Sequence, residues 1–307
     1  MRAARGALAG LLAIFAHLAG AAPVDIAWAP AESGALRSDH GALLLPVRLG
    51  PLQCLMQLDT AALETVFYRG SLPAAWIDKA EATATVPGLA IGDITVGAGA
   101  FPVFQGTMTD PKAAPCGPGH ADVLVGTVGL DVLKGGSIVI DLGAGRFEFI
   151  DRGVLPGGGA DASHGFAFAA APGIDPALPV VGVTGHNGRH YRMLIDTGSA
   201  AVGALFYRER EWLDETPFAS RSAPFPVVRW GRPASCRLGQ GTLHITAEPT
   251  SVDVADKVSW CAMSGEPVAA GNPMNGLLGL LPFENQRLTI DFVHRLASVE
   301  PSRPKSP

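Results

Sequence analysis

Apolar residues occur along this chain in short bursts that alternate with polar positions and stop at Gly, Pro, Asn or Asp, which is the two-residue period of strands rather than the period of helices. The bursts fall into two similar series. Residues 24–28 alternate as a strand, and so do residues 165–169. Residues 42–48 turn through Gly50-Pro51 into 52–58; residues 180–184 turn through His186-Asn187-Gly188 into 191–195, with Asn-Gly as a hairpin signal. Each returning strand runs straight into an Asp-Thr turn, Leu58-Asp59-Thr60-Ala61-Ala62 in one series and Ile195-Asp196-Thr197-Gly198-Ser199-Ala200 in the other. An aromatic strand leaves each turn and ends in Tyr-Arg, at Tyr68-Arg69 and Tyr207-Arg208. Gly/Pro-rich stretches follow at 83–105 and 224–246, and then apolar strands with embedded glycine, 123–130 and 276–280. From Gly129 to Asp141 is twelve steps, as it is from Gly279 to Asp291, and each aspartate belongs to a closing hairpin, 137–141 with 146–150 and 288–292 with 296–299. One helical turn is expected, at 130–134. The pattern predicts an all-β chain of two similar lobes, each an irregular barrel, with halves at 22–155 and 161–302, a Pro156-Gly157-Gly158-Gly159-Ala160 linker and a 303–307 tail.

Composition narrows the picture. In 307 residues, 48 % are hydrophobic and 17 % charged, with 38 Gly and 25 Pro, which suits a sizeable core built from short strands and tight turns. The net charge of −5 comes without a basic stripe, so nucleic acid is not an expected partner. Arg2 and Arg5, an apolar run from Ala7 to Leu18 and Ala19-Gly20-Ala21 read as a signal peptide over 1–21, too short for the ~20 residues of a membrane span. No other stretch could span a membrane, and no cysteine directly follows the run to carry a lipid. The chain is therefore expected to be exported, to the periplasm or beyond. Its four cysteines then favour disulfides; pairing within each half, Cys54 with Cys116 and Cys236 with Cys261, is the simplest of the three connectivities. Zinc is the alternative, but C-x-x-C and H-E-x-x-H spacings are missing, and His186 and His190 read as turn residues.

The candidate chemistry is a pair of carboxylates. One Asp-Thr-Gly is an ordinary turn. Two copies, 137 residues apart, each ending an apolar strand and each followed by a matched glycine strand and hairpin, describe a duplicated half-site that supplies one carboxylate per copy. Two close carboxylates do not both ionise easily, and one holds a proton that acid–base work on water can use. Asp141 and Asp291 read as hairpin-turn residues, and Asp131 as the cap of the short helix. Ser199 lacks a G-x-S-x-G frame, and the Gly97-Ala98-Gly99 turn does not open a helix. Trp28, Trp76, Trp212, Trp230 and Trp260 read as packing, and Glu209 to Glu215 as a mostly solvated face.

Ile195-Asp196-Thr197-Gly198-Ser199, with Leu124-Val125-Gly126 and Met274-Asn275-Gly276 as the later glycine strands, resembles the aspartic proteases of the pepsin and retropepsin clan. Residues 124–149 are similar to the end of bacterial retropepsin-like domains. The resemblance implies acid-protease-type lobes related by a pseudo-twofold, with a cleft between them and Asp59 and Asp196 facing each other across the axis as the catalytic pair. It implies that Thr60 and Thr197 brace the turns, that the backbone at Ala61 and Gly198 holds the carboxylates with Ser199 beside them, and that no metal or organic cofactor is required. A single chain would act as a monomer on a peptide or protein substrate. Two departures stand out. Ala61 occupies a glycine position, where a positive φ would cost about 1 kcal/mol. The tyrosine that covers the cleft in pepsin-like members has no counterpart, which points to the retropepsin-like branch, with a covering hairpin expected somewhere in 83–92 and its counterpart near 222–232. A non-catalytic protein that binds peptides or another exported protein on the same scaffold is the alternative.

Overall fold

A computed structural model describes residues 23–78, 80–104, 115–151, 165–169, 173, 175–229, 232–247, 250–254, 257–263 and 273–302. The 1–21 segment expected to be a signal peptide, the 156–160 linker, Trp230 and the 303–307 tail lie outside them. The architecture is all-β with two lobes. A six-stranded sheet joins the halves, in the order Val24–Asp25, Arg146–Asp151, Gly136–Asp141, Gln286–Asp291, Leu296–Pro301, Gly165–Ala167. Its middle strands run antiparallel, with Ser137 opposite Asp291, Val139 opposite Thr289 and Asp141 opposite Arg287, so a pseudo-twofold passes between them. These are the two closing hairpins of the sequence repeat.

Each lobe repeats one strand arrangement. Leu52–Leu58 pairs antiparallel with Leu36–Leu49 on one side and parallel with Leu124–Val128 on the other, and the latter pairs antiparallel with Val66–Tyr68. In the second lobe His190–Ile195 lies between Val180–Gly185 and Gly276–Leu278, and the latter meets Ala204–Phe206. The glycine strand thus threads between the strand that enters the Asp-Thr turn and the strand that leaves it. A Cβ at Gly126 would lie 2.3 Å from the Val66 carbonyl oxygen, and one at Gly276 2.1 Å from that of Leu205, so only glycine fits at either crossing. Burial alternates along Leu52–Leu58, with Cys54, Met56 and Leu58 inside. The Cys54–Cys116 and Cys236–Cys261 disulfides close within their own lobes.

One element breaks the symmetry. The hairpin of Ala27–Ser33 and Leu36–Leu49 continues past its Ala29–Ala42 pair, through an irregularity, to Ser33 opposite Leu36 at the tip. The distal part, residues 29–41, received no assignment from the sequence, because Ala29-Pro30-Ala31-Glu32-Ser33-Gly34 has neither alternation nor a strong apolar face. It crosses to the second lobe. Ser33 Oγ donates to the Pro226 carbonyl at 2.5 Å, Lys257 Nζ to the Arg37 carbonyl at 3.4 Å, and His40 Nδ1 lies 3.6 Å from Glu284 Oε1. Among the described residues between Ala167 and Val180 there is no equivalent hairpin.

Two local readings need correction. Asp131 does not cap the helix Leu130–Leu133; Gly129 stands at the cap, and the Asp131 carboxylate accepts Thr65 N–H at 2.8 Å and Thr65 Oγ1 at 2.7 Å. Glu209–Glu215 is a helix, and its solvated face excludes Trp212 and Glu215, which are three residues apart and buried together. Glu215 accepts Tyr191 OH at 2.6 Å and bonds Nδ1 of His186, an exposed turn residue as expected, at 2.7 Å. Within the two segments expected to cover the cleft, Thr83–Val86 pairs with Ile77–Asp78, and Phe225–Arg229 pairs with Arg232–Gly239.

Candidate active site

Strand pairing delivers both aspartates to one place. Asp59 N–H donates to the Val128 carbonyl at 3.1 Å and Asp196 N–H to that of Leu278 at 2.8 Å, so each turn begins where its glycine strand ends. The Asp59 carboxylate Oδ1 accepts the N–H groups of Ala61 at 2.8 Å and Ala62 at 3.1 Å. That of Asp196 accepts Gly198 N–H at 2.9 Å, while its Oδ2 accepts Ser199 Oγ at 2.7 Å. The two carboxyl groups are neighbours, and the Asp196 side chain acts directly on that of Asp59. A Cβ placed on Gly198 would lie 2.8 Å from Asp59 Cγ and 3.1 Å from Asp196 Oδ1, which shows how closely both groups crowd that glycine.

The threonines cross between the turns. Thr60 Oγ1 donates to the Ile195 carbonyl at 2.6 Å and accepts Thr197 N–H at 3.2 Å; Thr197 Oγ1 donates to the Leu58 carbonyl at 2.9 Å and accepts Thr60 N–H at 3.0 Å. Both are fully buried, and the four bonds are related by the pseudo-twofold. Buried hydroxyls paired in this way fix the turns in position, because breaking any one bond would leave a polar group without water.

Burial and the neighbouring Asp196 charge raise the Asp59 carboxyl to about 8, against the lowering effect of the Ala61 and Ala62 amides. The pair therefore holds one proton through neutral pH. Ala61 does not have a positive φ: among described residues other than glycine, only Ala82, Lys257 and Arg295 do. The conditional strain at Ala61 is absent, and its methyl packs beside the apolar cluster of Val180, Leu194, Leu205 and Leu277.

Four further residues support the pair and carried no role in the sequence reading. Gln57 Nε2 reaches across to the Gly198 carbonyl at 3.1 Å. Thr65 links the first turn to the glycine strand, with its hydroxyl accepting Gly129 N–H at 3.0 Å and donating to Asp131. Tyr68 shares a 2.6 Å bond with Thr127; burial holds its phenol above the usual range, and the charge of Asp59 adds to the rise. The repeated Tyr-Arg ending was a visible signal for Tyr68. Gln57 had none, since strand-end glutamines are common. Asp141 and Asp291 lie away from the pair, and each accepts amides of its own hairpin turn, from Ala144 and from Val293 and His294.

No cluster of three or more His, Cys, Asp or Glu side chains fit for a metal occurs among the described residues. No protein-family model matches the chain, and neither does any curated protein. Among solved structures, it is similar to an aspartic proteinase from Irpex lacteus over 92 % of this chain and 97 % of that one, with a TM-score of 0.48 and 11 % identity. At that identity the likeness assigns no chemistry to these residues.

Proposed function

We propose that the protein is an exported, single-chain aspartic endopeptidase of retropepsin-like type, which hydrolyses peptide bonds with Asp59 and Asp196 as an acid–base pair. The observation that carries this reading is the convergence of the two carboxyls on Gly198, each held by an amide of its own turn. In the proposed reaction Asp196 takes a proton from a water on the pair as its oxygen attacks the peptide carbonyl carbon. Asp59 gives its proton to the carbonyl oxygen, and a geminal diol forms. The proton on Asp196 then passes to the amide nitrogen, the C–N bond breaks, and a diol hydroxyl returns a proton to Asp59. Each half supplies one carboxylate, so a second copy is not required. The disulfides suit an oxidising compartment, which agrees with export by the 1–21 segment.

The test is cleavage of an unfolded protein by the purified mature chain from acid to neutral pH, with and without pepstatin. Pepstatin-sensitive cleavage is expected. If the wild type cuts nothing across that range and Asp59→Asn leaves peptide binding unchanged, the site is a binding cleft, as in the alternative reading. The feature that favoured the alternative, Ala61, adds nothing to it here, because Ala61 keeps the same amide donation as Gly198.

A further inference from the structure

The hairpin that crosses between the lobes roofs a cavity of about 270 Å³. Ala31, Ser33 and Leu36 of the hairpin form its roof. Gly198, Ser199 and Val202, which continue directly from the candidate catalytic turn, form its floor, and Phe225, Val227 and Leu238 of the paired strands Phe225–Arg229 and Arg232–Gly239 close its far side. The lining is mainly apolar, and the volume lies just below the roughly 300 Å³ at which sites for whole small ligands begin. It has room for one large side chain or a short chain end. At the far side the roof is clasped to the second lobe, by Ser33 Oγ on the Pro226 carbonyl and by the Gly34 backbone lying so close to Phe225 that a Cβ there would be 2.4 Å from that side chain.

We infer that this crossing hairpin is a strap that ends the cleft on the Ser199 side, so that the cavity receives the apolar terminal residue of a peptide and excludes a chain that continues beyond it. The floor is shared with the aspartate pair, since Ser199 Oγ bonds Asp196 and Gly198 touches Asp59. A peptide seated on the pair in this direction meets the strap at once. The chain must end in the cavity or the clasp must open. Three attachments, at Ser33, Arg37 and His40, hold it shut. The inference rests on the proposed function for the occupant being a peptide, and it makes the enzyme one that trims short peptides or cuts near one terminus.

Binding separates the inference from that reading. In an Asp59→Asn background, titration calorimetry would compare a pentapeptide ending in Phe at both termini with versions extended by six residues at the amino or the carboxyl end. The strap predicts at least a tenfold loss of affinity for one extension and little for the other. Replacing Pro30–Gly41 by Asn-Gly joins the register pair Ala29 and Ala42 by a two-residue turn and removes the strap. That variant should accept both extensions, and in the active background it should cut internal bonds of an unfolded protein that the intact chain leaves whole. Ala31→Phe, which keeps the strap and fills the cavity, should weaken the pentapeptide at least tenfold and controls for misfolding of the shortened chain. Equal tolerance of both extensions by the intact protein would overturn the inference, as would no binding of the pentapeptide, or a length preference that survives removal of the strap. If length discrimination holds but nothing is ever cleaved, the strap stands and the peptidase reading falls.

Discussion

Two equivalent positions, Ala61 and Gly198, separate what the turn requires from what the opposite carboxylate requires. Both donate an amide to their aspartate, and neither needs a positive φ. Only Gly198 faces the opposite carboxyl at a distance that leaves no room for a methyl group. Gly198→Ala is expected to push Asp59 and Asp196 apart and to lower kcat by about 10²-fold or more, as misplacement by an ångström does. Ala61→Gly should leave kcat within about twofold and lower stability by roughly 0.4–1 kcal/mol through the freer unfolded chain. Turnover and denaturant midpoints of the two variants check this asymmetry. The raised Asp59 carboxyl sets a sign for pH. Its folded value, about 8, lies above its ordinary 3.8, so the folded state binds the extra proton. Its contribution to stability is complete below about pH 4 and is lost as pH rises through about 8. Activity that needs this proton falls over the same upper limb. Melting curves at pH 4 and pH 8.5 should show a larger drop for wild type than for Asp59→Asn, which cancels the other titrating groups.

Among the elements, the hairpins were legible wherever a strand alternated and a turn residue closed it, as at 180–195 and 286–301. The meeting of the two aspartate turns was legible because Asp-Thr recurred with its glycine strand. The strap was not, because its strands carry Pro30, Gly34 and Gly41 and draw their order from contacts with the far lobe, which no local pattern reports. Asp131 misled for the same reason: an acidic residue at a helix start normally serves that helix, but Thr65 lies closer and offers two donors. The cysteine pairing was open to three connectivities, and the lobes settle it. Cys236 and Cys261 face each other across adjacent strands, and Cys54 reaches Cys116 over a separation of 62 residues. Loop-closure entropy gives each bridge about 3–4 kcal/mol, with more for the longer loop. Guanidinium titrations of Cys54→Ser/Cys116→Ser and Cys236→Ser/Cys261→Ser should rank in that order; a first pair that costs less than the second would contradict the entropic account. Tyr191→Phe removes one donor from buried Glu215 and should cost about 1–3 kcal/mol in the same assay.

At the level of the whole molecule, the central sheet carries the argument for one site made of two halves. Gly136–Asp141 and Gln286–Asp291 pair across the pseudo-twofold, and the threonine crossing repeats that symmetry where the aspartates meet. A duplicated β chain whose halves merely packed together would have no need to bring two buried carboxyl groups against one glycine. Within the proposed reaction the two groups act as a unit, so their removal should be strongly non-additive. The most direct measurement is kcat for Asp59→Asn, Asp196→Asn and the double variant on one peptide, with binding of that peptide measured in parallel. The account predicts that each single change lowers kcat by about 10²–10⁴-fold or more, that the double change is no worse than either single one, and that binding persists. A single variant that keeps more than a tenth of wild-type kcat would contradict it.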